Sequence, residues 1–314
     1  MTVGFRRVKK PIVAGLIGAT MILASCADST GPVPSASSSA VGSSLPLSTA
    51  EPIVVVTRET DETIWLLDAS GDAVRQLAGA GPKNGLAWSP DAQSIAFAWD
   101  HGDGRSNIFA IDVNGGKVRQ VTHSGGACCP TWSPDGSHLA YSDGRTHAIN
   151  VDGSGDRFLV SLPSAEHGTW SPDGKQFTFM SFRHDDWDIW AVAIDGSGLR
   201  NLTHAPGYQA VPAWSPDGNT IAFGADPAAI GTTNISQAHI YLMNPDGSNV
   251  RQITRDPDTR DGFPAWLPDG RLSFQRTSNV NGNAQVDLWV MNPDGTDAHT
   301  FAINIGWAAW RPAH

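Results

Sequence analysis

The sequence predicts an all-β fold, a six-bladed β-propeller of four-stranded antiparallel blades, and three observations carry that expectation. A short phrase recurs six times: Trp88-Ser89-Pro90-Asp91, Trp132-Ser133-Pro134-Asp135-Gly136, Trp170-Ser171-Pro172-Asp173-Gly174, Trp214-Ser215-Pro216-Asp217-Gly218, Trp266-Leu267-Pro268-Asp269-Gly270 and Trp310-Arg311-Pro312. The tryptophans stand 44, 38, 44, 52 and 44 residues apart, the period of one four-stranded blade. Between them run short apolar alternations bounded by Gly, Pro and Asp turns, and nothing has the pattern of a long helix.

The chain begins with four basic residues, Arg6, Arg7, Lys9 and Lys10, then an apolar run from Ile12 to Leu23, then Leu23-Ala24-Ser25-Cys26. The run is short for a membrane span and is followed by small residues, so residues 1–26 read as an export signal. The last four residues resemble a bacterial lipobox, which implies cleavage before Cys26 and lipid attachment to its thiol. Residues 27–50 are Ser, Ala, Pro, Gly and Thr with hardly a large apolar side chain. Such a segment buries too little surface to offset its ordering entropy and is expected to be a flexible tether. The propeller then occupies residues 51–314. Without the four leader cations the chain carries 17 basic against 31 acidic residues, a net charge of −14. So acidic a protein, with no basic patch, is not expected to bind nucleic acid.

Within each repeat the order of strands is constant. In residues 214 to 254 the tryptophan strand (a) ends in Pro-Asp-Gly, then come Thr220–Phe223 (b), a variable loop, His239–Met243 (c), the turn Asn244-Pro245-Asp246-Gly247, and Val250–Ile253 (d). The two ends of the chain are out of phase with this order. The folded part opens on b (Ile53–Val56), c (Thr63–Leu67) and d (Val74–Leu77), and finishes on an a strand, Ala308–Trp310. Pairing the last strand with the first three completes a sixth blade, closes the ring and leaves no open edge.

Motif, spacing, count and phase resemble the WD40-like repeats of the TolB-type propellers, a periplasmic family linked to the Tol-Pal envelope system. The resemblance covers about residues 53–314. It implies a propeller of the cell envelope acting as a protein-binding or scaffolding module, with envelope proteins as partners and the membrane reached through the lipid anchor. A full TolB carries a separate α/β domain before its propeller and is soluble in the periplasm. This chain is expected to be a lipoprotein variant without that domain.

In an up-and-down blade the d-to-a and b-to-c connections share one face and the Pro-Asp-Gly turns the other. The variable face is the expected binding face. Residues three and four before each tryptophan should approach the channel mouth there, which singles out Asn84, Cys128, Cys129, Glu166, His167, Phe263 and Trp307 as candidate ligand or partner residues. Cys128 and Cys129 are adjacent in an exported domain and stand either as two thiols or as a vicinal disulfide. His123, His167 and His204 lie at different distances from their tryptophans and need not converge on a metal, and His147 replaces a c-strand aromatic and reads as core. No nucleophile elbow, P-loop or zinc-protease helix is present, so no catalytic residue, metal or cofactor is expected. A propeller enzyme acting on a saccharide at the channel mouth, a metal-dependent lyase or hydrolase, stands as the alternative, with a saccharide or other small ligand as its substrate. The long segments Ala225 to Gln237 and Thr277 to Gln285 are expected to be loops forming the rim of a protein-binding surface.

Overall fold

The computed structural model describes residues 53–58, 62–79, 83–100, 104–183, 186–230, 237–280 and 282–312. The leader, Cys26 and the tether lie outside them. All regular elements among the described residues are strands, 24 in number. The first sheet contains β1 (Val54–Arg58), β2 (Ile64–Leu67) and β3 (Ala73–Ala78). The second is β4 (Lys83–Trp88), β5 (Ser94–Asp100), β6 (Ser106–Asp112) and β7 (Arg119–Gln120). The third is β8 (Cys128–Trp132), β9 (His138–Ser142), β10 (Thr146–Asn150) and β11 (Arg157–Val160). Next come β12 (Ala165–Trp170), β13 (Gln176–Arg183), β14 (Asp186–Ala193) and β15 (Arg200–Asn201), then β16 (Tyr208–Trp214), β17 (Ile221–Asp226), β18 (His239–Met243) and β19 (Arg251–Gln252). A single parallel pairing, Trp187 with Tyr208, joins these last two groups into one eight-stranded sheet. The last full sheet is β20 (Arg260–Trp266), β21 (Leu272–Val280), β22 (Asn283–Met291) and β23 (His299–Ile303).

The remaining strand, β24 (Ile305–Trp310), pairs antiparallel with β1, from Val54 with Trp310 to Arg58 with Ile305. The C-terminal strand therefore completes the sheet that the first three strands begin. Trp307 N–H also donates to Thr57 Oγ1 at 2.9 Å. Contacts between sheets run through the tryptophan strands in sequence, β4 with β8, β8 with β12, β12 with β16, β16 with β20, β20 with β24, and β24 with β4.

The repeated residues explain that packing. Apolar side chains on the two faces of each sheet meet those of its neighbours: Phe97, Ile95 and Phe109 of the second sheet pack with Val55, Ile64 and Leu66 of the first. The indole N–H groups stitch one sheet to the one before it. Trp88 donates to Ala309 O at 2.9 Å, Trp132 to Ala87 O at 3.2 Å and Trp266 to Ala213 O at 3.0 Å. Trp214 and Trp310 find hydroxyls instead, Thr178 Oγ1 at 3.0 Å and Ser273 Oγ at 2.6 Å. In these five the indole adds apolar area and satisfies its one donor, whereas the buried Trp170 N–H has no hydrogen-bond partner among the described residues. In four turns the serine after the tryptophan donates its hydroxyl to the aspartate two residues on, at 2.5 to 2.6 Å (Ser89, Ser133, Ser171, Ser215). Those bonds hold the carboxylates of Asp91, Asp135, Asp173 and Asp217 below their ordinary pKa, Asp135 at about 2.

One expectation is corrected. Residues 277 to 285 are mostly not loop: β21 and β22 are nine-residue strands paired out to Val280 with Asn283. The polar side chains there sit on a long hairpin that projects beyond the other strands. Of the other long segment, 225–226 belong to β17 and 231–236 lie outside the described residues.

Candidate functional site

Each tryptophan strand is interrupted three or four residues before its tryptophan. In five of them the register with the second strand slips there, between Asn84 and Ala87, Cys128 and Thr131, Glu166 and Thr169, Ala210 and Ala213, and Gly262 and Ala265. At the centre of each slip one residue takes a left-handed backbone: Gly85 (φ 59°), Cys129 (57°), His167 (46°), Val211 (52°) and Phe263 (51°). A bulge of this kind breaks the alternation of side chains and re-aims one of them. For a non-glycine residue the left-handed region costs about 1–2 kcal/mol, and most for a β-branched one such as Val211. At Gly85 the close approach also demands glycine, because a Cβ would lie 2.9 Å from the Cα of Cys129. In β24 the extra residue is Gly306, four before its tryptophan, since Thr57 pairs with Trp307 and Arg58 with Ile305.

These residues meet. A cavity of about 780 Å³ is lined by Gly85, Cys129, His167, Val211, Phe263 and Trp307, one from each tryptophan strand, and by Pro90, Pro134, Pro172, Pro216, Pro268 and Pro312, one from each repeated turn. At its head three rings cluster. Phe263 and Trp307 pack edge-to-face at 4.8 Å, and His167 lies parallel to Trp307 at 6.3 Å and edge-on to Phe263 at 6.2 Å. Cys129 Sγ is 3.6 Å from His167 Nε2. Burial lowers the His167 pKa, partly opposed by the Glu166 carboxylate, so the imidazole is neutral at pH 7; burial raises that of Glu166, partly opposed by His167. Pro134, Pro172, Pro216 and Pro268 are exposed, so the cavity reaches solvent on the turn side.

The expected candidate residues divide accordingly. Cys129, His167, Phe263 and Trp307 are brought together on one wall. Asn84, Cys128 and Glu166, four residues before their tryptophans, are not on it. Cys128 and Glu166 are buried beside it instead, Cys128 in one apolar cluster with Ala98 and Leu139. The cavity also extends toward the repeated turns, where six prolines join its wall. Their signal was present, since a proline two residues after an inner-strand tryptophan in all six repeats must recur around one axis.

The histidines do not converge, with His123 and His204 exposed and His167 in the cavity. His147 is packed against Tyr141 at 4.8 Å between ring centroids and lies between Asp143 and Asp156 at 3.1 and 3.0 Å. Among the described residues no group of three or more His, Cys, Asp or Glu is placed to hold a metal ion.

Four-stranded sheets packed through repeated tryptophan strands around a shared cavity define a β-propeller protein. The family described as the TolB beta propeller domain matches residues 46–168 and 151–310. The chain belongs to the TolB beta propeller family. Among solved structures it is similar to TolB from Acinetobacter baumannii, with a TM-score of 0.70 and 21% identity over 83% of this chain and 66% of that one. It is also similar to a putative TolB from Agrobacterium tumefaciens, with a TM-score of 0.65 and 21% identity over 83% and 98% of the two chains. These likenesses concern the fold. In sequence, an uncharacterized protein of Agrobacterium fabrum, Atu1656, is 37% identical over 110 residues, which span 35% of this chain and 34% of that relative. The match thus spans about a third of that relative's length.

Proposed function

We propose that this protein is a lipid-anchored binding module of the bacterial cell envelope, in which six blades close into one ring and the cavity receives an apolar segment of a partner envelope protein. The wall of that cavity carries the proposal. Four non-glycine residues, Cys129, His167, Val211 and Phe263, hold left-handed backbones there, and the repeated bulge turns one side chain of each strand into a ligand-sized cavity. Aromatic rings and prolines around an opening to solvent suit an extended chain with an aliphatic or aromatic anchor.

The ring is supported by the pairing of β24 with β1 and by the circuit of contacts that returns from β24 to β4. Anchoring through Cys26 and the tether of residues 27–50 is supported by the leader sequence. Export would place the cavity in the compartment of the Tol-Pal-type functions that the family resemblance implies.

The test is affinity capture from cross-linked envelopes, comparing the parent chain with a Phe263→Ala/Trp307→Ala variant. The variant is expected to lose specific envelope proteins that the parent retains. Equal capture by both would overturn the placement of the site.

A further inference from the structure

Strand β8 sets two sulfurs side by side, one of them on the cavity wall. The Sγ atoms of Cys128 and Cys129 lie 2.8 Å apart. In a regular strand adjacent side chains point to opposite faces and could not approach in this way. Here the bulge, with Cys129 at φ 57°, breaks the alternation and turns both sulfurs to one side. The close passage of Gly85 against the Cys129 backbone braces that conformation. Cys128 is buried, whereas Cys129 is half-buried on the cavity wall with His167 Nε2 at 3.6 Å.

We propose that Cys128 and Cys129 are a redox-active dithiol that undergoes thiol–disulfide exchange with low-molecular-weight disulfides and closes into a vicinal disulfide in the cavity wall. Cys129 is the attacking group because it alone lines the cavity. Its S–H proton passes to His167 Nε2, and the thiolate attacks one sulfur of glutathione disulfide. A mixed disulfide forms and one glutathione thiolate leaves, to be protonated by the imidazolium. The Cys128 thiol then loses its proton to solvent, and its thiolate attacks the Cys129 sulfur, forming the Cys128–Cys129 bond and expelling the second glutathione thiolate, which takes up a proton. Two thiols are oxidised and one glutathione disulfide is reduced to two glutathiones. Oxidation draws Cys129 Sγ away from His167 and leaves the imidazole for a cavity ligand. That consequence rests on the proposed binding role; the exchange itself does not.

The test equilibrates the full chain in glutathione buffers from fully reducing to fully oxidising, quenches with acid, alkylates, and reads the peptide containing Cys128 and Cys129 by mass spectrometry. Reading that peptide alone makes the result independent of the state of Cys26 and of any partner. The expected result is two alkyl groups at the reducing end and none at the oxidising end, with the peptide two hydrogens lighter and carrying no glutathione. Alkylation of both cysteines at every ratio, or trapped glutathione adducts without ring closure, overturns the proposal. His167→Asn, chosen because asparagine tolerates the left-handed backbone, should slow the exchange by about tenfold at pH 7 through loss of the proton acceptor while leaving the end point unchanged. An unchanged rate removes His167 from the mechanism.

Discussion

Trp310→Ala is the perturbation most revealing of how the fold holds together, because Trp310 joins the end of the chain to both its beginning and its neighbouring sheet. Its backbone pairs with Val54, its ring packs edge-to-face on Phe301 at 5.0 Å, and its indole donates to Ser273 Oγ at 2.6 Å. The side chain is 8% exposed. Truncating a buried tryptophan costs about 3–5 kcal/mol, a large share of the roughly 5–15 kcal/mol that stabilises a domain. For a domain of this size each kcal/mol moves the melting temperature by about 2–4 °C, so the expected fall is roughly 6–20 °C. Thermal unfolding followed by circular dichroism measures it. Trp307→Ala is the control, since that ring is partly exposed on the cavity wall and its loss should cost only about 1–2 kcal/mol. A Trp310→Ala protein melting within about 2 °C of the parent would refute the reasoning that the last strand locks the first.

Other perturbations address the bulges and the repeated turns. Gly85→Ala places a methyl 2.9 Å from the Cys129 backbone in a left-handed conformation and should cost about 2–4 kcal/mol in denaturant unfolding, from strain and overpacking together. A loss below about 0.5 kcal/mol would show that the β4–β8 contact relaxes freely. Ser133→Ala removes the hydroxyl that holds the Asp135 pKa at about 2. Because the folded pKa lies below the unfolded value, the stabilisation is full above about pH 4 and fades as pH falls toward about 2. The variant should therefore be less stable than the parent at pH 7, by about 1 kcal/mol, and the gap should narrow on acidification. A pH-independent gap would mean that the serine acts only through packing and its bond from the His138 amide.

The repeat made the fold legible because it reports on geometry that is the same six times. A tryptophan with a turn at fixed distance fixes the inner strand, and the phase difference between Ile53 and Trp310 foretold the pairing that β1 and β24 make. The bulge was not legible. It is a matter of register between two strands, and Cys129, Val211 and Phe263 have no property that favours a left-handed backbone; Gly85 signals one and His167 only weakly. Without the bulge the sequence does not tell which of two adjacent residues lines the cavity, and Glu166 and Cys128 do not. The β21–β22 hairpin was hidden by its polar side chains, which resemble a loop by composition. Its better signal was the Asn281-Gly282 pair, the residue pair most suited to a two-residue hairpin turn.

The central claim is that the cavity, rather than the rest of the surface, receives the partner. The direct measurement is photo-cross-linking in producing cells, with a benzophenone side chain placed at Val211 on the cavity wall or at exposed Asp195 in an outer turn. The account predicts a discrete adduct with an envelope protein from position 211 and none from position 195. Adducts from position 195 alone would contradict it and move the binding surface to the outside of the protein.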